Sequence, residues 1–280
     1  MSNTNAYKTA LQWHIDSGAD EALNDEPGKA EPKHEAPQPA APMVAVAPKA
    51  AVSAAPAVSF LGKSDARAEA EKLAEAATTL DELREAIRAF DGIALKKTAT
   101  NLVFSDGNPR APIMLVGEAP GGDEDRIGKP FVGVSGQLLD KILKCIDLDR
   151  RNEDPLQSIY ISNILNWRPP GNRNPSPAEI EISLPFIEKH IALIQPKLLI
   201  FCGGVSAKAL LNTEQSVSRL RGKWHDYIPS SAFLKSSTVP IPAMATYHPA
   251  YLLRTPSQKR AVWQDMLALQ AKTMEIGLKA

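Results

Sequence analysis

The side chains best suited to chemistry in this 280-residue chain follow four short apolar runs. Glu118, Asp123, Glu124 and Asp125 come directly after Pro112–Gly117, in the glycine-rich segment GEAPGGDEDR. Asn163 lies within Ile159–Leu165, and Arg168-Pro169-Pro170-Gly171-Asn172-Arg173 follows it. Gly203-Gly204 ends Lys197–Gly203, and His248-Pro249-Ala250-Tyr251 follows Ala243–Tyr247. Carboxylates and an imidazole are groups that orient water or exchange protons. A side-chain amide presents both a donor and an acceptor. Asn is disfavoured inside strands, so Asn163 needs a reason beyond packing. Two cations on a proline-stiffened turn suit contact with phosphate.

The elements that must position these groups alternate along the chain. The apolar runs are interleaved with segments of helical period: Gly136–Ile146, Ala178–Ile194, Val205–Leu211 and Pro256–Met274. Four strand–helix repeats of this kind predict an α/β fold with a parallel sheet and helices on both faces. The runs are apolar nearly throughout, as strands covered on both sides are. In such a sheet, ligands bind beyond the carboxyl ends of the strands. All four polar segments fall on that rim, whereas a purely structural arrangement would leave mixed polar caps at both.

Composition bounds the function further. Lys+Arg and Asp+Glu are equal at 32 each, so any nucleic-acid surface must be a local basic patch offset elsewhere. No apolar run reaches the roughly 18–20 residues of a membrane span. The start, MSNTNAYKTALQW, lacks a secretory pattern, so a cytoplasmic protein is expected. Cys145 and Cys202 both read as small buried hydrophobes, and two cysteines exclude a disulfide framework or a four-cysteine metal site. Asn24–Val58, rich in Ala, Pro, Lys and Glu, cannot bury enough apolar surface to order itself and reads as a spacer. Tyr7–Leu23, ahead of it, reads as a short amphipathic helix in a loosely packed arm. Ser64–Phe90 holds strong helix formers, and Thr79 with Asp81 and Glu82 marks a helix start. The expected division is residues 1–60 as arm and linker and 61–280 as the functional domain.

Three segments carry a resemblance. GEAPGGDEDRIGKPFVGVSGQLLD, YISNILNWRPPGNRNPSPAE and YHPAYLLR resemble the signature regions of the family-four uracil-DNA glycosylases of bacteria and archaea. They stand in the family's order, and the similarity runs from about Thr79 to the last helical segment. The resemblance implies a three-layer α/β/α fold around a central four-stranded parallel sheet, in agreement with the alternation above. It implies hydrolysis of the N-glycosidic bond of uracil flipped out of DNA, single- or double-stranded, leaving an abasic site. A monomer without cofactor or metal is expected.

By this resemblance Phe131 stacks on the flipped base, and Gly117 and Ala119 line its pocket. Asn163 reads the base edge, offering a donor to O4 and an acceptor to N3–H. Cytosine reverses that pattern and leaves buried polar groups unpaired. His248 stands near O2, where a donor stabilises the charge that builds on the departing base. Glu118 and Glu124 fall near the sugar and the attacking water. Some branches carry an Asp one residue after Glu118; Ala119 occupies that position here, so the simplest candidate base is missing. Arg168, Asn172, Arg173 and Arg254 would contact DNA, and Leu252 or Leu253 would enter the duplex as the base leaves. Arg219, Arg221 and Lys223 form a further basic cluster.

One departure is structural. The family holds a four-iron cluster on four cysteines, and those positions align with Phe90, Ile93, Trp167 and Ser183. None of these is a thiolate ligand. Three large apolar replacements predict Phe90, Ile93 and Trp167 packed together near Ser183 in place of the metal. Two other readings stay open. A non-catalytic binder of uracil-containing or abasic DNA is left open by Ala119, while Asn163, His248 and Phe131 favour the enzyme. A nucleotide-binding α/β module is disfavoured by the Leu-Leu-Arg and RPPGNR segments.

Overall fold

Neighbouring residues of a strand point to opposite faces of a sheet, so an apolar strand needs cover on both. A computed structural model describes residues 63–235 and 239–278 and shows that cover. The arm and spacer assigned to residues 1–60 lie outside the described residues. In chain order the principal elements are helices α1 (Lys63–Ala76) and α2 (Leu80–Ala89), then strands β1 (Asp106–Gly107) and β2 (Ile113–Gly117). Helices α3 (Gly122–Ile127) and α4 (Val134–Lys144) follow, then β3 (Tyr160–Asn163), α5 (Pro177–Ile194) and β4 (Leu198–Cys202). Next come α6 (Gly204–Leu210), α7 (Val217–Leu220), β5 (Trp224–Tyr227) and α8 (Ala232–Lys235). The last are β6 (Ile241–Thr246), α9 (Pro249–Arg254) and α10 (Lys259–Glu275).

The strand order is β1-β3-β2-β4-β6-β5, with β3, β2, β4 and β6 parallel. The expected count of four strands is corrected to six, because antiparallel β1 and β5 extend the parallel four at either edge. Neither edge strand carries a continuous apolar run: β1 is two residues long, and β5, WHDY, buries only Tyr227. Alternation splits the core as the pattern requires. Met114, Val116, Leu199 and Phe201 pack on one face with Leu83 and Ile87 of α2 and Phe186 and Ile191 of α5. Ile113, Leu115, Leu198 and Ile200 pack on the other with Leu139 and Leu143 of α4 and Met266 and Leu269 of α10. The three layers are therefore real. Cys202 is buried in β4, but Cys145, expected to be buried, is exposed. It caps α4 on the face of Lys141 and Lys144, which is exposed, while Leu143 and Ile146 beside it point into the core.

Two helix starts follow their local chemistry. Thr79 Oγ1 accepts the Glu82 amide ahead of α2. Ser176 and Glu179 exchange side-chain and backbone bonds ahead of α5, with Pro177 in its first turn.

The four positions aligned with cluster cysteines are all buried. Phe90, Ile93 and Trp167 share the cluster that includes α1, α2 and α5, and Ser183 of α5 is 4% exposed. Phe90 meets Phe186 edge to face, with centroids 5.3 Å apart. Gly92 runs under that ring, where a β-carbon would lie 2.3 Å from it. Aromatic rings occupy this corner, and no donor there is a thiolate, so the residues do not fit an iron–sulfur cluster.

One buried polar group gives this core a pH response. His190 of α5 stacks on Phe104 at 4.3 Å, and its Nε2 lies 2.8 Å from the Tyr160 hydroxyl, which donates to Ser105 Oγ. Burial, helped by the nearby Arg84 charge, pushes the imidazole pKa down to about 3 from the ordinary 6.5. The unfolded chain takes up this proton below about 6.5 and the native state does not, so stability rises with pH across that window. Acidification from pH 7.5 to 5 should therefore remove about 2 kcal/mol through this residue. Thermal melts should show a shallower loss over that range in His190→Gln than in the native chain. An unchanged slope would contradict the assignment.

Candidate active site

The carboxyl ends of the parallel strands deliver the polar groups to one rim. Gly117 ends β2 and pairs in register with Asn163, the last residue of β3. Gly203 follows β4, and His248 caps α9 just after β6. Between them opens a cavity of about 540 Å³ whose walls include Glu118, Glu124, Phe131, Asn163 and His248. Ala119 also lines it.

Gly117 is the floor. A β-carbon there would lie 2.3 Å from Asn163 Oδ1 and 2.6 Å from the Phe131 ring. Only glycine lets the amide and the ring close over the strand end. Phe131 reaches this place through a left-handed turn, φ 54°, which costs a non-glycine residue on the order of 1 kcal/mol. The turn is braced on both flanks. Gly136 of α4 lets the helix pass the Phe131 carbonyl, which a β-carbon would approach to 2.0 Å. Glu124 Oε1 accepts the amides of Val132 and Gly133, each at 2.9 Å, while Oε2 accepts that of Gly121 at 3.1 Å. Glu124 thus faces the cavity with both oxygens already engaged by backbone.

Glu118 differs. It is half-buried on the cavity wall, and burial raises its carboxyl pKa above the ordinary 4.5. The other loop acids do not reach the cavity. Asp125 is buried, and its carboxylate accepts the amides of Thr100 and Asn101. Asp123 pairs with Arg126 on the surface.

His248 is built as a donor. Its Nδ1 accepts the Ala250 amide at 3.2 Å, as the N-cap of α9, which leaves the proton on Nε2. Burial lowers its pKa to about 4 against the opposing pull of the Glu124 charge, with a smaller push down from Arg254, so the ring is neutral near pH 7. Its ring lies 5.4 Å from that of Phe131, inclined by 28°. A planar heterocycle held against Phe131 would meet one amide edge reader and one neutral N–H.

The basic rim is less uniform than its sequence. Arg168 Nε donates to Asn172 Oδ1 at 2.7 Å, and the guanidinium lies over Gly122. Arg173 forms two bonds to Glu179, the acid of the α5 capping box, so its charge is already matched. Asn172 and Arg173 line the cavity mouth together with Arg254. Leu253 is 45% exposed on α9, next to the cavity-lining Arg254, whereas Leu252 is fully buried in a cluster with Val262 and Met266. Leu252 is therefore corrected from a DNA-facing residue to a core residue, because α9 packs against α4 and that side chain falls in the core under it. Arg221 is likewise internal: it pairs with buried Asp265, which also accepts from Thr246.

Ser135, Pro169, Asn174 and Tyr251 also line the cavity and were not singled out as pocket residues. Ser135 sits four residues after Phe131 at the start of α4, and that spacing was the available signal.

Comparison with known proteins places this geometry. Residues 104–267 match the model of the "Uracil DNA glycosylase superfamily". A type-4 uracil-DNA glycosylase of Pyrobaculum aerophilum is 34% identical over 187 residues, covering 67% of this chain and 91% of that protein. That of Archaeoglobus fulgidus is 35% identical over 191 residues, covering 67% and 89%. That of Thermotoga maritima is 31% identical over 185 residues, covering 65% and 88%. A match across more than half the sequence, falling on the strands that build the cavity, means that the chain belongs to the uracil DNA glycosylase superfamily.

Proposed function

We propose that this chain excises uracil from DNA by hydrolysing the N-glycosidic bond, leaving an abasic site, as its relatives' names indicate for them. The observation that carries the reading is the meeting of Asn163, Phe131 and His248 over the bare floor of Gly117. A cavity of about 540 Å³ lies within the range of small-ligand sites and accepts an extrahelical pyrimidine. Stacked on Phe131, the base turns O4 and N3–H toward the Asn163 amide and O2 toward His248. Bond cleavage drives negative charge onto O2, and a neutral N–H donor in a dry site stabilises it more than it stabilises the bound base. The sugar becomes oxocarbenium-like and needs only a positioned water. Glu118, whose carboxylate is not engaged as that of Glu124 is, takes the water-orienting role, and Glu124 fixes the loop.

The DNA is held outside the cavity. Arg168, Asn172 and Arg254 contact phosphate, while Arg173, matched by Glu179, chiefly fixes the loop's shape. Leu253 fills the space the base vacates. We assign the reaction to residues 61–280 acting as a monomer in the cytoplasm, on single- or double-stranded DNA, with residues 1–60 as a spacer. Among the described residues no helix is long and apolar enough to cross a membrane.

The direct test is alkaline scission of a labelled oligonucleotide carrying one uracil. Wild type should cleave at that site, and His248→Ala should be slower by about 10²–10³-fold, the usual cost of removing one donor to developing charge. A well-folded wild type that binds abasic DNA without scission on either strand form would instead make this a binder. The two leucines separate cleanly. Leu253→Ala should slow excision from duplex more than from single strands and change stability by less than about 0.5 kcal/mol. Leu252→Ala should cost about 2–5 kcal/mol of stability. Equal slowing of both substrates by Leu253→Ala, measured in single turnover, would exclude the wedge.

A further inference from the structure

We infer that Arg150, outside the cavity, is a positioning residue for excision: it fixes the Phe131 turn from the side opposite Glu124. The inference rests on the glycosylase reading for its effect on rate. Arg150 belongs to the polar segment Asp147-Leu148-Asp149-Arg150 after α4, and its side chain is only 4% exposed. Its Nη1 donates to the Pro130 carbonyl at 2.8 Å, the acceptor immediately before Phe131. Nε donates to Asp140 of α4 at 2.8 Å, and Nη1 lies 3.4 Å from Asp106 of β1. Asp106 also takes Lys129 at 3.2 Å, one residue before Pro130.

The consequence follows from where these bonds act. Phe131 occupies a left-handed conformation that an isolated chain would leave. Glu124 grips the two amides after it, and Arg150 grips the carbonyl before it. The guanidinium is matched by two carboxylates on two other elements, so it is a rigid post and not a free surface cation. Arg150 is not among the residues that line the cavity, so it acts on the base only through Phe131. Releasing the Pro130 carbonyl lets the ring leave the stacking plane while the sheet beneath stays intact.

Arg150→Met and Arg150→Lys in the full chain test this with three readouts: single-turnover excision from a uracil oligonucleotide, binding of the matching abasic duplex, and amide hydrogen exchange. The abasic product has no base for Phe131 to stack on. Arg150→Met should slow excision at least tenfold while abasic binding stays within twofold. Exchange should quicken in residues 128–136 and not in β4, and Arg150→Lys, keeping the charge, should recover part of the rate. Excision within twofold of wild type, unchanged exchange at 128–136, or equal losses in excision and abasic binding would each overturn the inference. An inactive wild type would overturn the glycosylase reading, and exchange at 128–136 would still decide whether Arg150 holds the turn.

Discussion

Gly117 ends β2 opposite Asn163, and a β-carbon at that point would stand 2.3 Å from the amide oxygen and 2.6 Å from the Phe131 ring. The separation of paired parallel strands is fixed at about 4.8 Å, so the sheet sets where the Asn163 amide stands. The missing side chain then sets how near the ring can come. Once ring and amide are fixed, the remaining groups have defined places around a planar base. The turn that carries Phe131 is unfavourable by itself, and Glu124 and the close passage of Gly136 keep it populated. In this account the sheet fixes Asn163, and braced loops at the strand ends carry Phe131 and His248.

The electrostatics follow the same logic. Burial keeps the His248 ring neutral, and the Ala250 amide, by occupying Nδ1, decides which nitrogen carries the proton. A neutral donor costs less to bury than a cation and strengthens as charge moves to its acceptor. Glu118 remains partly buried with a raised pKa, whereas Glu124 is committed to three amides. Two glutamates six residues apart thus have separate duties, set by what each carboxylate touches.

The parallel strands and their helices were legible because burial on both faces leaves continuous apolar runs such as PIMLVG and KLLIFCG. Edge strands β1 and β5 were not, being short and mostly polar, with Tyr227 the one buried residue of β5. Leu252 and Leu253 are adjacent in sequence and about 100° apart on a helix, so only the packing of α9 against α4 tells the core residue from the exposed one. Arg221 reads as one of three surface cations until buried Asp265 is placed beside it. The bracing role of Glu124 had a faint signal: it stands three residues after Gly121, the spacing of a capping box.

Phe90, Phe186 and Trp167 fill a corner packed against α1, α2 and α5, while the cavity residues Asn163 and His248 stand at the carboxyl ends of β3 and β6. The central claim is that the Asn163 amide, fixed by the sheet, selects uracil. Its most direct test is excision of uracil against cytosine by Asn163→Asp, in single turnover on otherwise identical oligonucleotides. The account predicts that uracil excision falls and measurable cytosine excision appears, because a carboxyl group accepts the exocyclic amine that the amide repels. Cytosine left intact while uracil excision stays near wild type would show that selection lies elsewhere.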